Sequence, residues 1–250
     1  MPRTFLEVAY RGTHYSGFQI QDNASSIQQE VEKALEIVFR QPITLTGSSR
    51  TDTGVHALQN YFHFDYEVLI DKRVLYNINA ILPPDIVVKD IQPVASDAHC
   101  RYDALSREYR YYIYRTKNPF LADRAWFFPY TLDRDNLAAA AALIPQYEDF
   151  TTFSKRNTQA KTRLCTVLGS GWQEEGECLV YRVVANRFLR GMVRGLVGTM
   201  LQVGRGKISV EEFAAVIGRK DNQLADFSAP GHGLFLFRIS FPDSIFKSAL

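Results

Sequence analysis

Residues 47–57 read Gly-Ser-Ser-Arg-Thr-Asp-Thr-Gly-Val-His-Ala. Small, turn-forming residues surround one carboxylate, Asp52, and Arg50 stands two positions before it. Asp and Thr bond local backbone and favour turns, so a plain turn would account for the stretch. A catalytic loop would need the same residues for another reason, to hold Asp52 in one place. A nearby cation such as Arg50 lowers a carboxylate pKa by about 1–3 units and so favours the anion. A carboxylate kept charged in a partly dry pocket can act as a nucleophile.

The flanking sequence predicts mixed elements. Residues 4–10 read as a strand, followed by a loop with two glycines. Ser26 starts a helix, with Gln29 completing a capping box. Ile27, Val31, Ala34, Leu35 and Val38 give that helix one apolar face, and Pro42 marks its end. Residues 43–47 read as a short strand entering the loop, and residues 61–69 as the strand leaving it. Asp71 caps a helix over 71–82 that Pro83 and Pro84 stop. Beyond it, residues 106–116 form a strong strand and residues 133–144 a helix. Residues 163–173 and 178–186 pair as strands around a turn. Residues 188–203 and 209–218 are helices, and residues 233–241 a last strand. Helices and strands mix in both halves, which predicts the α+β class. The seam is expected in the polar stretch of residues 97–106, giving domains 1–103 and 104–250.

The 250 residues suffice for a sizeable core. A net charge of +2 implies no strong overall field, so the placement of charge matters more than its sum. Cys100, Cys165 and Cys178 are scattered and form no CxxC pair. Reduced thiols in a cytosolic protein are the reading they support. The N-terminus shows no signal-peptide apolar stretch. Arg190 and Arg194 interrupt the most apolar segment, so no membrane span is expected. A Walker loop, a GxSxG elbow and a GxGxxG fingerprint are absent. His56, His63 and Asp65 match no metal-ligand spacing, and no metal is expected.

Four blocks, in order, carry a resemblance. Gly-Ser-Ser-Arg-Thr-Asp-Thr-Gly-Val-His-Ala resembles the Arg-Thr-Asp-x-Gly-Val-His core of the tRNA pseudouridine synthase A family. Residues 10–19, Tyr-Arg-Gly-Thr-His-Tyr-Ser-Gly-Phe-Gln, resemble its N-terminal segment. Residues 185–198 resemble its Phe-Leu-x-x-Met-Val-Arg helix, and residues 233–242 its terminal strand. The resemblance implies the pseudouridine synthase fold: two similar α/β halves sharing an extended antiparallel sheet with a central cleft. It implies an isomerase that breaks the C1′–N1 bond of uridine, rotates the base and rejoins C1′ to C5. No cofactor is implied. The expected substrate is the tRNA anticodon stem-loop at positions 38 to 40, and the expected state a cytoplasmic homodimer.

By the same resemblance Asp52, Tyr109 and Arg194 are the catalytic positions, and Leu234 lines the uracil pocket. Tyr109 shares a strand face with Arg107, Tyr111 and Ile113 by alternation; an ordinary sheet tyrosine would fit there too. Helical spacing over 188–203 clusters Arg187, Arg190 and Arg194 on one side, with Gly191, Gly195 and Gly198 nearby allowing close approach. A solvated basic face would give the same pattern. Arg50, Arg11, Gln19, Arg187 and Arg190 are candidate substrate contacts. His14, Tyr15, Arg101, Arg110, Lys155 and Arg156 are further RNA candidates, each equally at home on a surface. Ser49, Thr53, Arg11 and Phe18 depart from the commonest family residues. An RNA-binding protein without catalysis is the alternative reading. A glycoside-cleaving enzyme would want a second carboxylate as acid, and none stands at recognisable spacing.

Overall fold

A computed structural model of the chain describes residues 1–155 and 161–246. Its elements run β1 (Arg3–Tyr10), α1 (Ile27–Phe39), β2 (Thr46–Gly47), β3 (His56–Asp65), α2 (Val74–Ile81), β4 (Ile86–Val94) and β5 (Ser106–Tyr114). They continue with β6 (Trp126–Phe127), α3 (Arg134–Leu143), β7 (Val167–Glu175), β8 (Cys178–Ala185), α4 (Met192–Gly204), α5 (Val210–Gly218) and β9 (Leu234–Ser240). Antiparallel ladders join β1 to β3 and β4, β2 to β3, and β8 to β5 and β7. The short β6 runs parallel to β5. This is the α+β class that the sequence predicts. Contacts divide the chain into two compact units. One is Met1–Leu105 with the segment from Leu236 onward, the other Ser106–Phe235.

In the first unit the sheet order is β4-β1-β3-β9, with β2 on β3. Phe5, Leu6 and Val8 of β1 are fully buried, as are Phe18, Phe62 and Ile78. The rings of Phe18 and Phe62 stack at 4.5 Å. Ile27, Val31, Ala34 and Leu35 form the buried face of α1. Burying each of its larger aliphatic side chains contributes about 1.5–3 kcal/mol. Ser26 keeps an extended backbone, and its side chain accepts the Gln29 N–H at 3.3 Å. A reciprocal capping box is present instead on α5, between Ser209 and Glu212.

Two expectations need correction in this unit. The sequence reading passes over β4, whose Lys89, Asp90 and Pro93 break the apolar pattern of a strand. An edge position tolerates such residues, because one side of the strand has no ladder to satisfy. β3 also starts at His56 rather than residue 61. Its first residues already pair with β1, as Tyr10↔Ala57 and Val8↔Asn60.

In the second unit β5, β8 and β7 lie side by side in that order. Tyr111 and Tyr181 are fully buried, and the Tyr111 hydroxyl donates to the Pro230 carbonyl at 2.8 Å. On the other face of β5, Glu108 is wedged between Arg182 and Arg110, each at 2.9 Å. Burial alone would raise its carboxyl pKa; the two guanidinium groups outweigh burial and hold it below the ordinary value. Met192, Val193, Leu196, Val197, Met200 and Leu201 are all buried in α4. A helix apolar on nearly every side belongs inside a core.

The helix expected over 188–203 begins only at Met192. Gly191 precedes it in the left-handed region, at φ +76°, and breaks the helical phase there. Arg187 and Arg190 therefore lie outside the helix, and the 100° spacing does not align them with Arg194. Gly195 and Gly198 do allow close approach, but toward Phe227 and Asp226.

Candidate active site

The loop carrying Asp52 connects β2 to β3 and is fixed by residues distant in sequence. Tyr10, at the end of β1, shares a hydrogen bond with the Thr51 hydroxyl at 2.9 Å. The buried Asn60 side chain donates to the Ser49 carbonyl at 2.8 Å and to the Tyr10 hydroxyl at 3.2 Å. The Ser48 N–H donates to the Tyr61 carbonyl, and the Phe18 N–H to the Thr51 carbonyl. Asp52 itself accepts the Val55 N–H through its carbonyl at 3.1 Å. Each bond adds only about 0.5–1.5 kcal/mol net, but together they fix the backbone on both sides of Asp52. Ser48, Ser49, Thr51, Val55 and His56 are buried, and Asp52 is half-buried.

Gly12 closes the loop from the other side. A Cβ built there would overlap the Val55 carbonyl oxygen and stand 2.7 Å from its carbon. The Gly12 N–H donates to His56 Nδ1 at 3.1 Å. That bond makes Nδ1 an acceptor and leaves the ring proton on Nε2. His56 and Asp65 are spent on such roles, the latter on a two-pronged pair with Arg3 at 2.8 Å. They form no ligand set with His63.

Arg50 is exposed, and among the described residues no ion pair joins it to Asp52. Arg11 and Gln19 are exposed on the first loop. Tyr15 is buried there, and its hydroxyl donates to Asp85 at 2.6 Å, so it supports the loop instead of facing outward. Sequence reading missed Tyr10, Asn60 and Gly12 as loop supports. Strand parity was the available signal for Tyr10, which follows the buried Leu6 and Val8 at two-residue steps.

In the second unit Tyr109 is buried on β5, opposite Val183, with its ring edge-on to Phe188 at 5.0 Å. Arg107 shares its face, as alternation requires, and donates to the Asn186 carbonyl at 2.8 Å. Arg194, in the first turn of α4, is half-buried and donates through Nε to the Ala229 carbonyl. Leu234 is buried at the start of β9. Arg187 is half-buried and Arg190 exposed. Arg110 pairs with Glu108 and Glu175. Lys155 packs its stem against Gly191. Arg156 lies outside the described residues.

Comparison with known proteins adds independent support. A family model described as tRNA pseudouridine synthase matches residues 7–103 and 147–242. A protein of Parabacteroides distasonis named tRNA pseudouridine synthase A is 42% identical over 248 residues, 98% of each chain. A Bacteroides thetaiotaomicron protein of the same name is 44% identical, over 99% of this chain and 93% of its own. One from Staphylococcus aureus is 37% identical, over 95% and 90%. The chain belongs to the tRNA pseudouridine synthase family. Its activity is pseudouridine synthesis, an isomerisation of uridine, and RNA binding without catalysis is not favoured. Isomerisation of this kind asks a site for a fixed acid–base or nucleophilic group and a place for an extruded base. The pinned Asp52 loop suits the first requirement. Among the described residues no helix is long and apolar enough to cross a membrane.

Proposed function

We propose that this chain converts uridines 38, 39 and 40 of the tRNA anticodon stem-loop to pseudouridine, in the cytoplasm and as a homodimer. Asp52 acts as nucleophile or base. The C1′–N1 bond breaks, the uracil turns over, and C5 bonds to C1′. The C5 proton then leaves to solvent, and N1 takes a proton in its place. Tyr109 stacks on the extruded uracil; such stacking contributes about 1–3 kcal/mol and offsets part of the few kcal/mol needed to flip a base. Arg194 is the third catalytic position, and Leu234 walls the uracil. Arg11, Gln19, Arg50, Arg187 and Arg190 contact RNA, chiefly at phosphates, which makes affinity fall with salt. In this reading residues 1–103 form the half that carries the Asp52 loop, and residues 104–250 the half that carries the Tyr109 strand and the Arg194 helix.

The observation that carries the proposal is the loop itself. Bonds from Asn60 and Phe18 hold its backbone, Tyr10 holds the Thr51 hydroxyl, and Asp52 is half-buried at its centre. Release of tritium from C5-labelled uridine in unmodified tRNA tests it. Asp52→Asn is expected to bind tRNA and release no label; full release would overturn the assignment. Tyr109→Phe is expected to lose far more activity than Tyr112→Phe. Equal loss would make Tyr109 an ordinary sheet residue.

A further inference from the structure

We propose that His63, His99 and Cys100 form a three-ligand zinc site that ties the turn after β4 to β3. The inference stands apart from the reaction above and uses none of its residues. Each of the three residues offers one ligand atom, and these atoms lie within 4.8 Å of one another. His63 Nδ1 and Cys100 Sγ are already 3.1 Å apart. The His63 and His99 rings meet at 4.5 Å, nearly edge-to-face. A tetrahedral zinc, with Zn–S about 2.3 Å and Zn–N about 2.0–2.1 Å, sets its donors roughly 3.3–3.6 Å apart. Small side-chain rotations reach that spacing.

The donor types select the metal. One thiolate and two imidazoles suit Zn²⁺ and disfavour Mg²⁺ or Ca²⁺, which want oxygen. The neighbouring carboxylates have other partners: Asp65 is taken by Arg3, and Asp103 accepts the His99 N–H at 2.7 Å. Three protein ligands then leave the fourth position to water. His63 and Cys100 are buried, whereas His99 is half-buried beside the exposed ring of Tyr102, which marks the way in.

Binding requires no redox step. The Cys100 thiol loses its proton to solvent as sulfur joins the metal, and zinc sheds hydration water. The thiol gives up a long hydrogen bond to the Thr46 carbonyl, at 3.3 Å. At each histidine, Nδ1 accepts a main-chain N–H, from Cys100 at 3.4 Å and from Arg101 at 3.1 Å. A metal takes these lone pairs in place of such weak donors. Chain spacing could not reveal the set, because 37 positions separate His63 from Cys100.

The test uses the full chain, stripped with a chelator and titrated with Zn²⁺ by calorimetry and with Co²⁺ by absorption. One equivalent of each is expected, with a thiolate-to-cobalt charge-transfer band that Zn²⁺ competes away. Cys100→Ser should abolish the band and weaken Zn²⁺ binding by more than about 100-fold, beyond the loss typical of an outer-shell partner. Cys178→Ser, in the other unit, should change neither. His99→Gln sits in a half-buried turn and should also weaken binding, which keeps the test open if Cys100→Ser fails to fold. Absence of stoichiometric binding, a band surviving Cys100→Ser, or wild-type affinity in His99→Gln would each overturn the site.

Discussion

The loop of residues 48–55 and the stretch of residues 187–191 each lead to a residue assigned to the chemistry, yet they are held differently. The loop is pinned by backbone and short polar groups from other elements: Tyr10, Gly12, Phe18 and Asn60. The stretch before α4 is held by its own turn and by neighbours that include Lys155 and the Tyr109 ring against Phe188. Met192 donates to the Leu189 carbonyl, Lys155 to the Arg190 carbonyl, and Gly191 turns left-handed. Backbone cannot give way, whereas a lysine stem can. A substitution at the loop should therefore cost more than one at the helix approach, even where the approach has the stranger dihedral angle.

The sharpest way to break this contrast is Gly12→Ala. Gly12 does not have a positive φ, so dihedral preference alone predicts a mild effect or even a gain. The position is closed instead by the Val55 carbonyl, which the new methyl would overlap. Forcing a methyl into a packed site costs about 1–3 kcal/mol and occasionally more. Gly12→Ala belongs at the upper end, about 3 kcal/mol in urea unfolding, because main chain is the obstacle. Activity should fall beyond what unfolding explains, since Val55 lies three residues from Asp52. An unchanged stability would mean that the loop is looser than its hydrogen bonds imply.

Tyr10→Phe probes the same loop more gently. The phenol is buried, which pushes its pKa up and keeps it neutral. Its hydroxyl joins Thr51 to Asn60, at 2.9 and 3.2 Å. Removing it leaves a buried threonine hydroxyl without that partner, while Asn60 retains the Ser49 carbonyl. An unsatisfied buried group costs about 1–3 kcal/mol, and the surviving bond places this variant near 1–2 kcal/mol. Turnover should drop with tRNA affinity little changed, because the hydroxyl acts on the loop and not on RNA. A loss confined to affinity would instead put Tyr10 at the RNA surface.

The same contrast explains what sequence could and could not show. Strands and helices whose apolar residues keep one period were legible: β1, α1, β5, β8 and α5 lie where the pattern puts them. The Asp52 loop was legible as a motif because its turns demand its residue types. Its supports were not, since Tyr10 and Asn60 contribute through tertiary contacts that no local window contains. β4 was lost because edge strands tolerate the charges and proline that disguise them. The start of α4 was lost because Phe188, Leu189 and Met192 continue the apolar period across a glycine whose dihedral angle ends it. The commitment of Arg110 to Glu108 and Glu175 is likewise a matter of β5 meeting β8 and β7.

Gly191→Ala makes the smallest and most discriminating change. Its φ of +76° disfavours any side chain, by about 1–2 kcal/mol for an ordinary L-residue. A methyl there would also stand 2.9 Å from Cγ of Lys155. Lys155 is half-buried with a flexible stem, so the clash relaxes and the dihedral cost alone remains, about 1 kcal/mol. Asn tolerates the left-handed region better than Ala because its short polar side chain bonds locally, yet it is bulkier. If the dihedral angle governs, Gly191→Asn is the milder variant in thermal unfolding. If crowding against Lys155 governs, the order reverses, and Lys155→Ala restores Gly191→Asn. The first order is expected, because a side-chain neighbour yields where the Val55 carbonyl at Gly12 does not.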